Sequence, residues 1–289
     1  MALSREQIED WSRRPSSFFL EWTRTVLVEA LDGASQFRGK CDYEIYAQGS
    51  YANETNVDPT GDVDLVVQMQ LPFEEEITTL DRAEEERFWE KYGDATYRWP
   101  QFRADVLDRL RESFFVHVGN KCMDIRHFDS PMRLPADIVP AIEYRDYEAF
   151  PARDVEIYEE GIFFRDRAGH PIINYPKQHL QNGRRKDATV DRGFKPVVRV
   201  FKNALRNLER FDRAEAPSYF VECLVYNIGN SAFEGPIHVT YPQCVRWLHD
   251  HRDEFGDFMC QNEIVPLFGD GWRTEQGYRL VDALRTQLA

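Results

Sequence analysis

The chain has 289 residues, of which 42% are hydrophobic, and its formal net charge is -14 at pH 7. This length allows one large domain or two modest ones, each with an apolar core. The acidic excess argues against a protein whose main surface binds long nucleic acid, because phosphate binding needs a dominant basic face. Nucleotides remain possible ligands, since their site can be locally basic or can receive positive charge from metal ions.

The sequence also indicates in which cellular compartment the protein is found. No window approaches the roughly 20 apolar residues that span a bilayer, and the first ten residues, MALSREQIED, lack the pattern of a signal peptide. The five cysteines are far apart and form no CxxC pair, so neither a disulfide framework nor a zinc site is predicted. We expect a folded, soluble, cytoplasmic protein with reduced thiols and no membrane partner.

The first part of the chain mixes helices and strands. Residues 4–32 are predicted to be helical, from the capping-box pattern SREQ to Asp32-Gly33, with Pro15 dividing or kinking the helix. Strands are predicted at 43–48 and 62–70. Because side chains alternate along a strand, Val63, Leu65 and Val67 take one face, and Asp62 and Asp64 share the other.

The pattern continues with two helices, a hairpin and a strand before it becomes helical. An acidic helix is predicted within 71–93 and a core-facing helix at 99–115, because apolar residues recur at helical spacing. A hairpin around Gly119-Asn120 precedes a strand at 134–145, which contains Asp137. We place a domain boundary near residue 175. The later segments are predicted helices: 174–187, 194–211, 216–230, 241–251 and the C-terminal segment QGYRLVDALRTQLA.

The pair Asp62 and Asp64 is a candidate metal site. Two carboxylates on one strand face, with a third from a neighbouring strand, can hold two Mg²⁺ ions roughly 3.5–4 Å apart. Such a pair of metals favours phosphoryl or nucleotidyl transfer. An isolated DxD pair is more often a solvated strand end. The upstream Gly49-Ser50 turn favours the metal site, since it can offer N–H groups and a hydroxyl to the β- and γ-phosphates.

The segment QGSYANETNVDPTGDVDLVVQM resembles the Gly-Ser and DxD signature of the DNA-polymerase-β-like nucleotidyltransferases. It is most similar to the bacterial cGAS/DncV-like nucleotidyltransferases (CD-NTases) of the CdnE clade. The resemblance continues through PADIVPAIEYR, NYPKQHLQNG, FKPVVRVFKNA and APSYFVECLVYN. It implies an α+β fold, in which a DNA-polymerase-β-like core with a mixed sheet (1–175) is joined to a helical C-terminal domain (176–289), with nucleotides bound in the cleft between them.

The resemblance also implies an activity. A metal-dependent nucleotidyltransferase of this family makes a cyclic dinucleotide or trinucleotide from NTPs, and the product activates an effector in antiphage (CBASS) defence. Two Mg²⁺ ions are the implied cofactors, with Mn²⁺ as a substitute. We expect a monomer that makes a cyclic dinucleotide and requires no long nucleic acid.

Three carboxylates acquire roles by the same resemblance. Asp62 and Asp64 become the shared metal ligands, and Asp137 becomes the third carboxylate, next to the attacking 3′-hydroxyl. On proximity in the sequence alone, Asp124 and Asp129 are rival candidates for the third role. Asp137 is preferred because the family motif falls there and because an acid inside LPADIVP is costly to bury without a cation partner.

Two pairs of residues are predicted to contact the substrate. Gly49 and Ser50 would contact the triphosphate. Ser218 and Tyr219 match positions at which related enzymes place a hydroxyl on the γ-phosphate and an aromatic ring on the donor base, for which a π face is suited. The alternative for Tyr219 is a place in the core.

A basic stripe gives further candidates. Lys195, Arg199 and Lys202 recur at i, i+4 and i+7, so they project from one helix face. The resemblance favours a phosphate contact for Lys202, whereas a solvated basic stripe is the alternative, especially for Arg199. His179 is interpreted as a structural hydrogen-bonding residue.

Asn174 is the candidate for base selection. An amide both donates and accepts hydrogen bonds, so it can complement the O4 and N3–H edge of uracil. Clade members that use uridine resemble this chain in having Asn before YPK, so UTP is the favoured substrate, with ATP or another NTP as its partner. The alternative is a turn residue near Pro176.

Two other kinds of protein remain as alternatives. One is a nucleotidyltransferase that modifies RNA ends or small molecules, although the acidic balance counts against a long RNA substrate. The other is a nucleotide sensor that keeps the fold without turnover, against which the three intact carboxylates count.

Overall fold

The protein is described from a computed structural model, which covers residues 2–16, 18–32, 39–93, 95–126, 133–208, 216–269 and 271–288. The chain divides into two compact units. The helical unit takes its described residues from 1–16, 49–59 and 177–289, and the sheet unit takes its own from 17–48 and 60–176. The domain boundary expected near residue 175 stays a prediction. Gly33 and Asp129 lie outside the described residues.

The sheet unit is built on a seven-stranded mixed sheet. The central pair, β2 and β5, is parallel, and every other pair is antiparallel. The strand order is β1-β2-β5-β4-β3, and β6 pairs with β5 and with β7. The strands are β1 (Asp42–Ala47), β2 (Val63–Glu76), β3 (His117–Val118), β4 (Met123–Ile125), β5 (Ala136–Ala152), β6 (Val155–Arg165) and β7 (Pro171–Asn174).

Ten α-helices lie among the described residues. Two short 3-10 helices, Asn230–Phe233 and Arg252–Asp257, complete the helical unit. The helices are α1 (Arg5–Trp11), α2 (Phe18–Asp32), α3 (Gly49–Ala52), α4 (Arg82–Lys91), α5 (Trp99–Arg111), α6 (Pro176–Thr189), α7 (Phe194–Arg206), α8 (Ser218–Tyr226), α9 (Ile237–Asp250) and α10 (Thr274–Arg285).

The central strand β2 is buried on both faces. Val66 packs in one apolar cluster with Val139 and Ile162, and the alternate residues Leu65 and Val67 are fully buried as well. A strand covered on both faces has an almost continuous apolar run, which explains why VDLVVQM departs from strict alternation. The polar Asp64 lies near the start of this strand, where burial is only partial.

The core of the helical unit centres on α7 and α8. Val197 and Phe201 of α7 and Leu224 of α8 are fully buried in one large cluster, which also takes in residues of α9 and α10. Apolar side chains at helical spacing bury these faces together. Within the described part of the chain, no helix combines the length and the apolar character needed to cross a membrane.

Several elements differ in extent from the sequence-based expectation. Within residues 4–32 the helix is divided into α1 and α2, with Pro15 between them, as one of the two expected effects of that proline. The Ser4 side chain caps α1 by accepting the N–H of Gln7 at 3.2 Å. Strand β2 continues six residues further than expected, through the acidic segment LPFEEE, because β5 pairs with it there. Strands β6 and β7 were not predicted.

Candidate functional site

Acidic side chains from three neighbouring strands form a row on the sheet. Asp64 of β2 is the register partner of Asp137 in β5, and Asp137 is in turn the partner of Asp124 in β4. Register partners project from the same face of a sheet. Asp62 lies two residues before Asp64, so it shares that face. We call these four carboxylates the acidic row.

A single arginine bridges the acidic row. Arg126 directly follows β4, and its Nη1 is 2.5 Å from Asp62 Oδ2 while its Nη2 is 3.0 Å from Asp137 Oδ1. The same Nη2 is 3.7 Å from Asp124 Oδ1. One guanidinium therefore interacts with three carboxylates, which shows that these side chains can share a cation.

Asp124 has its own hydrogen-bonding partners. Cys122 Sγ lies 3.0 Å from its Oδ1, and His117 Nδ1 lies 2.9 Å from its Oδ2. Burial raises the pKa of Asp124, but the bonds from Cys122 and His117 and the charge of Arg126 outweigh it and lower the pKa. Asp124 is therefore held in its charged form.

Burial raises the pKa of Asp137, and the charges of Asp62 and Asp124 add to this effect against the opposing charge of Arg126. The row consequently favours additional positive charge. Ligand atoms of Cys122, Asp124 and Asp137 lie within 4.8 Å of one another and could hold a metal ion. Because burial also raises the pKa of the Cys122 thiol, the carboxylates are the available ligands, and they suit a hard cation such as Mg²⁺.

The Gly49-Ser50 turn belongs to the helical unit. Gly49 begins α3 with φ +71°, a left-handed conformation that glycine adopts without strain. The chain then folds back, since the Ser50 carbonyl accepts the N–H groups of Thr55 at 2.8 Å and of Asn56 at 3.2 Å. The position of Ser50 thus depends on the residues that follow α3.

The three residues of the predicted basic stripe all contact Glu54 or Thr55. Lys195 Nζ is 2.6 Å from Glu54 Oε2, Arg199 donates to the Glu54 carbonyl, and Lys202 Nζ is 3.2 Å from the Thr55 carbonyl. Arg199 and Lys202 are buried, with relative exposures of 7% and 5%. The alternative of a solvated stripe is therefore wrong for these two residues, while a phosphate contact stays a prediction.

Glu222 of α8 is a buried carboxylate that the sequence analysis missed. Its relative exposure is 3%, and it interacts with Lys202 Nζ at 2.5 Å and Thr55 Oγ1 at 2.7 Å. Asn53 Nδ2 and His179 Nε2 lie 3.1 and 3.2 Å from its Oε2. Burial alone raises the pKa of Glu222, but Lys202 and His179 together hold it well below its usual range.

The two candidates at the start of α8 are exposed. Ser218 is its first residue, and Tyr219 has a relative exposure of 39%. That ring stacks on His179 with centroids 5.0 Å apart and lies 6.0 Å from Trp272. Tyr219 is therefore not a fully buried core residue, and it belongs to an aromatic array with His179 and Trp272.

Asn174 ends β7 and pairs through its backbone with Ile162. It is exposed, and its side chain makes no hydrogen bond to any residue that the structure describes. Asn174 therefore lies in a strand, and the alternative of a turn residue is wrong. Its part in base selection stays a prediction.

Comparison with known proteins identifies the family. Residues 181–289 match the cGAS/DncV-like nucleotidyltransferase C-terminal helical domain. The cyclic nucleotide synthase CdnE01 of Staphylococcus haemolyticus is 32% identical over 97% of each chain. The cyclic UMP-AMP synthase of Rhodothermus marinus is 33% identical over 97% of this chain and 96% of that protein. The solved structure of Rhodothermus marinus CdnE c-UMP-AMP synthase with Apcpp and Upnpp has a TM-score of 0.87 and 33% identity, covering 98% of this chain and 95% of that one.

The chain belongs to the cGAS/DncV-like nucleotidyltransferases, and within them to the CdnE group. It is a nucleotidyltransferase of the cyclic oligonucleotide synthase class. The fold expected from the resemblance, a DNA-polymerase-β-like core with a mixed sheet and a helical C-terminal domain, is confirmed.

Proposed function

We propose that the enzyme joins two NTPs, one of them UTP, into a cyclic dinucleotide in a reaction that depends on a divalent cation at the acidic row. The observation that carries this proposal is the direct register of Asp64 with Asp137, supported by the guanidinium that bridges Asp62 and Asp137. Carboxylates on adjacent strands that share one cation are suited to nucleotidyl transfer.

Asp62, Asp64 and Asp137 would hold the cation, Mg²⁺ or in its place Mn²⁺. When bound, it supplies positive charge that promotes ionisation of the attacking 3′-hydroxyl and stabilises the charge developing around the α-phosphorus. The oxygen donors of these three residues fit that ion. We assign Asp137, the partner of Asp64 on β5, to the side of the attacking hydroxyl, as the family resemblance implies.

The reaction balances without a protein nucleophile. The 3′-hydroxyl of one NTP attacks the α-phosphorus of the other, a P–O bond forms, the bond to pyrophosphate breaks, and the hydroxyl proton passes to solvent. A second attack of the same kind within the linear product closes the ring and releases a second pyrophosphate. Groups that bind and orient the substrates are therefore the main contribution of the remaining residues.

The helical unit supplies the candidates for binding the triphosphate and the donor base. The proposed phosphate contacts are Gly49, an exposed residue with a left-handed backbone at the start of α3, and the hydroxyls of Ser50 and Ser218. The exposed Tyr219 ring would stack on the base. Lys195, Arg199 and Lys202 are retained as candidates for the phosphates, although each already contacts the chain at Glu54 or Thr55.

The choice of UTP rests on Asn174 and on the relatives. The side-chain amide of Asn174 is exposed, so it is accessible to a uracil edge. The Rhodothermus marinus relative is named a cyclic UMP-AMP synthase, and its solved structure contains Apcpp and Upnpp. We therefore take ATP as the partner nucleotide. We further propose that the enzyme is monomeric and cytoplasmic, and that an antiphage effector senses its product.

The test is incubation of the purified protein with labelled NTPs, singly and in pairs, with Mg²⁺ or Mn²⁺ and without RNA. We expect a phosphatase-resistant product from UTP with ATP, whose mass identifies a cyclic dinucleotide. Strict dependence on an added RNA acceptor would instead indicate an RNA-modifying enzyme. Binding of NTPs without any product would indicate a sensor.

A further inference from the structure

One buried carboxylate joins several of the elements that carry the proposed substrate contacts. Glu222 lies on α8, one turn after Ser218, and it interacts with Lys202 of α7 and His179 of α6. It also accepts hydrogen bonds from Asn53 and Thr55, which follow the Gly49-Ser50 turn. Four separate parts of the helical unit thus meet at a single side chain. We refer to residues 53–56 as the post-turn segment.

The buried negative charge of Glu222 is paired with the buried positive charge of Lys202. The side chains of Glu222 and Lys202 retain only 3% and 4% of their accessible surface. A buried charge without its partner is costly, whereas a pair with further hydrogen bonds is tolerated. The carboxylate therefore has little freedom to move, and the groups that donate to it are fixed with it.

The post-turn segment connects Glu222 to the Gly49-Ser50 turn by hydrogen bonds. The N–H groups of Thr55 and Asn56 donate to the Ser50 carbonyl at 2.8 and 3.2 Å. Thr55 is bonded through its hydroxyl to Glu222 at 2.7 Å. A displacement of Thr55 therefore displaces Ser50, whose hydroxyl is a proposed phosphate contact.

We propose that Glu222 is a positioning residue, which sets the Gly49-Ser50 turn through Thr55 and Asn53. This inference rests on the proposed function of the turn in triphosphate binding. In this role Glu222, at 3% exposure, acts through these two residues and not by direct contact with substrate. Lys202 serves as its buried counter-ion, which gives the innermost residue of the basic stripe a defined role in the arrangement.

The first test compares Glu222→Gln with the double variant Glu222→Gln/Lys202→Met. The single change leaves Lys202 buried without its counter-ion, but the double change removes both charges and is expected to restore the melting temperature to near the wild-type value. In both variants we expect the peptide covering 49–59 to exchange its amide hydrogens at least tenfold faster. For Glu222→Gln, which keeps Lys202, we also expect at least tenfold weaker binding of a non-hydrolysable NTP analogue and a raised KM.

Glu263→Gln is the matched control. Glu263 lies in the same unit and pairs with Arg185 at 2.6 Å, but this pair is exposed. Among the described residues it contacts neither the post-turn segment nor the Gly49-Ser50 turn. The rate of amide hydrogen exchange over 49–59 and the affinity for the analogue should therefore equal those of the wild type.

A second pair of variants tests the Thr55 hydroxyl without altering any charge. This hydroxyl donates to Glu222 at 2.7 Å, accepts from Lys202 Nζ at 3.2 Å and lies 3.4 Å from the Ser50 carbonyl. Thr55→Val removes the hydroxyl that Glu222 accepts, and Thr55→Ser keeps it. We expect the valine variant to show faster exchange over 49–59 and weaker analogue binding, and the serine variant to recover most of both. This pair remains informative if the Glu222 variants do not fold.

Two results would overturn the positioning role. One is a double variant that regains its melting temperature together with wild-type exchange over 49–59, because Glu222 would then serve only the fold. The other is equal behaviour of Thr55→Val and Thr55→Ser. If the wild-type protein binds no NTP, the proposed function is wrong, and the exchange measurement alone still decides whether Glu222 positions the turn.

Discussion

Asp64 and Asp137 are direct register partners across the parallel strands β2 and β5. Their carboxylates therefore project from the same face of the sheet, where a divalent cation can be shared. We predict that Asp137→Asn weakens Mn²⁺ binding at least tenfold, since it removes one charged oxygen ligand. Titration of the protein with Mn²⁺, followed by electron paramagnetic resonance, measures this change without any substrate.

Asp146→Asn is the control for that substitution. Asp146 lies on the same strand, opposite Glu76 of β2 and nine residues beyond Asp137. We expect its Mn²⁺ titration to match that of the wild type. Equal losses in both variants would show that the net charge of the sheet unit, and not the acidic row, determines cation binding.

Arg126 is expected to compete with the cation. Its guanidinium bridges Asp62 and Asp137, so a divalent ion that binds these carboxylates must displace it. We predict that Arg126→Gln tightens Mn²⁺ binding roughly tenfold, which corresponds to about 1.4 kcal/mol. Arg153→Gln, an exposed change just beyond the far end of β5, should leave the affinity unchanged. Weaker binding in Arg126→Gln would show that the arginine supports the cation site.

Asn174→Ser tests base selection. A hydroxyl has fewer hydrogen-bonding groups than an amide, so it discriminates the uracil edge less well. We predict that the preference for UTP over purine nucleotides falls at least tenfold. Competition between labelled UTP and GTP in the presence of ATP measures it, with Asn120→Ser, at an exposed position before β4, as the control. An unchanged preference would remove Asn174 from this role.

The buried Glu222 predicts a pH dependence of stability. Its pKa in the folded protein is depressed below the ordinary value of 4.5. A depressed pKa contributes stability that is complete above the unfolded value and is lost as the pH falls toward the folded one. We therefore expect the unfolding free energy of the wild type to exceed that of Glu222→Gln by about 3–5 kcal/mol at pH 7, where Glu222 is charged in both the folded and the unfolded chain.

Below pH 4.5 the difference between these two proteins should shrink, because Glu222 becomes protonated in the unfolded chain first. Urea unfolding at a series of pH values provides the measurement, and Glu263→Gln provides the control for an exposed pair. A difference that grows as the pH falls would contradict the ion pair with Lys202.

The local pattern was sufficient to locate many of the elements. Val63, Leu65 and Val67 defined β2, and Gly119-Asn120 marked the hairpin between β3 and β4. The pattern did not reveal β6 and β7, nor the acidic end of β2. The acidic end of β2 and strand β6 become strands by pairing with β5, and β7 does so by pairing with β6. Such non-local pairing leaves no short-range signal.

The candidate site also has features that the local sequence predicts and features that only the tertiary structure reveals. The DxD spacing was sufficient to place Asp62 and Asp64 on one face, but the register that brings Asp137 opposite Asp64 is a tertiary feature. Arg126 was missed because nothing in its local sequence indicates the carboxylates that it contacts. Glu222 could have been suspected, since an acid within SYFVECLVY, like Asp137 within LPADIVP, is costly to bury without a cation. Its partner Lys202, 20 residues away in the sequence, could not have been named.

The central claim is that the acidic row performs metal-dependent nucleotidyl transfer. The most direct measurement is pyrophosphate release from UTP and ATP by the wild-type protein and by Asp64→Asn, each with Mg²⁺ and with EDTA. We predict release by the wild type with Mg²⁺ alone, and a fall of at least about 1,000-fold in Asp64→Asn at an unchanged melting temperature. Equal release by the two proteins, or release by the wild type in EDTA, would contradict the account.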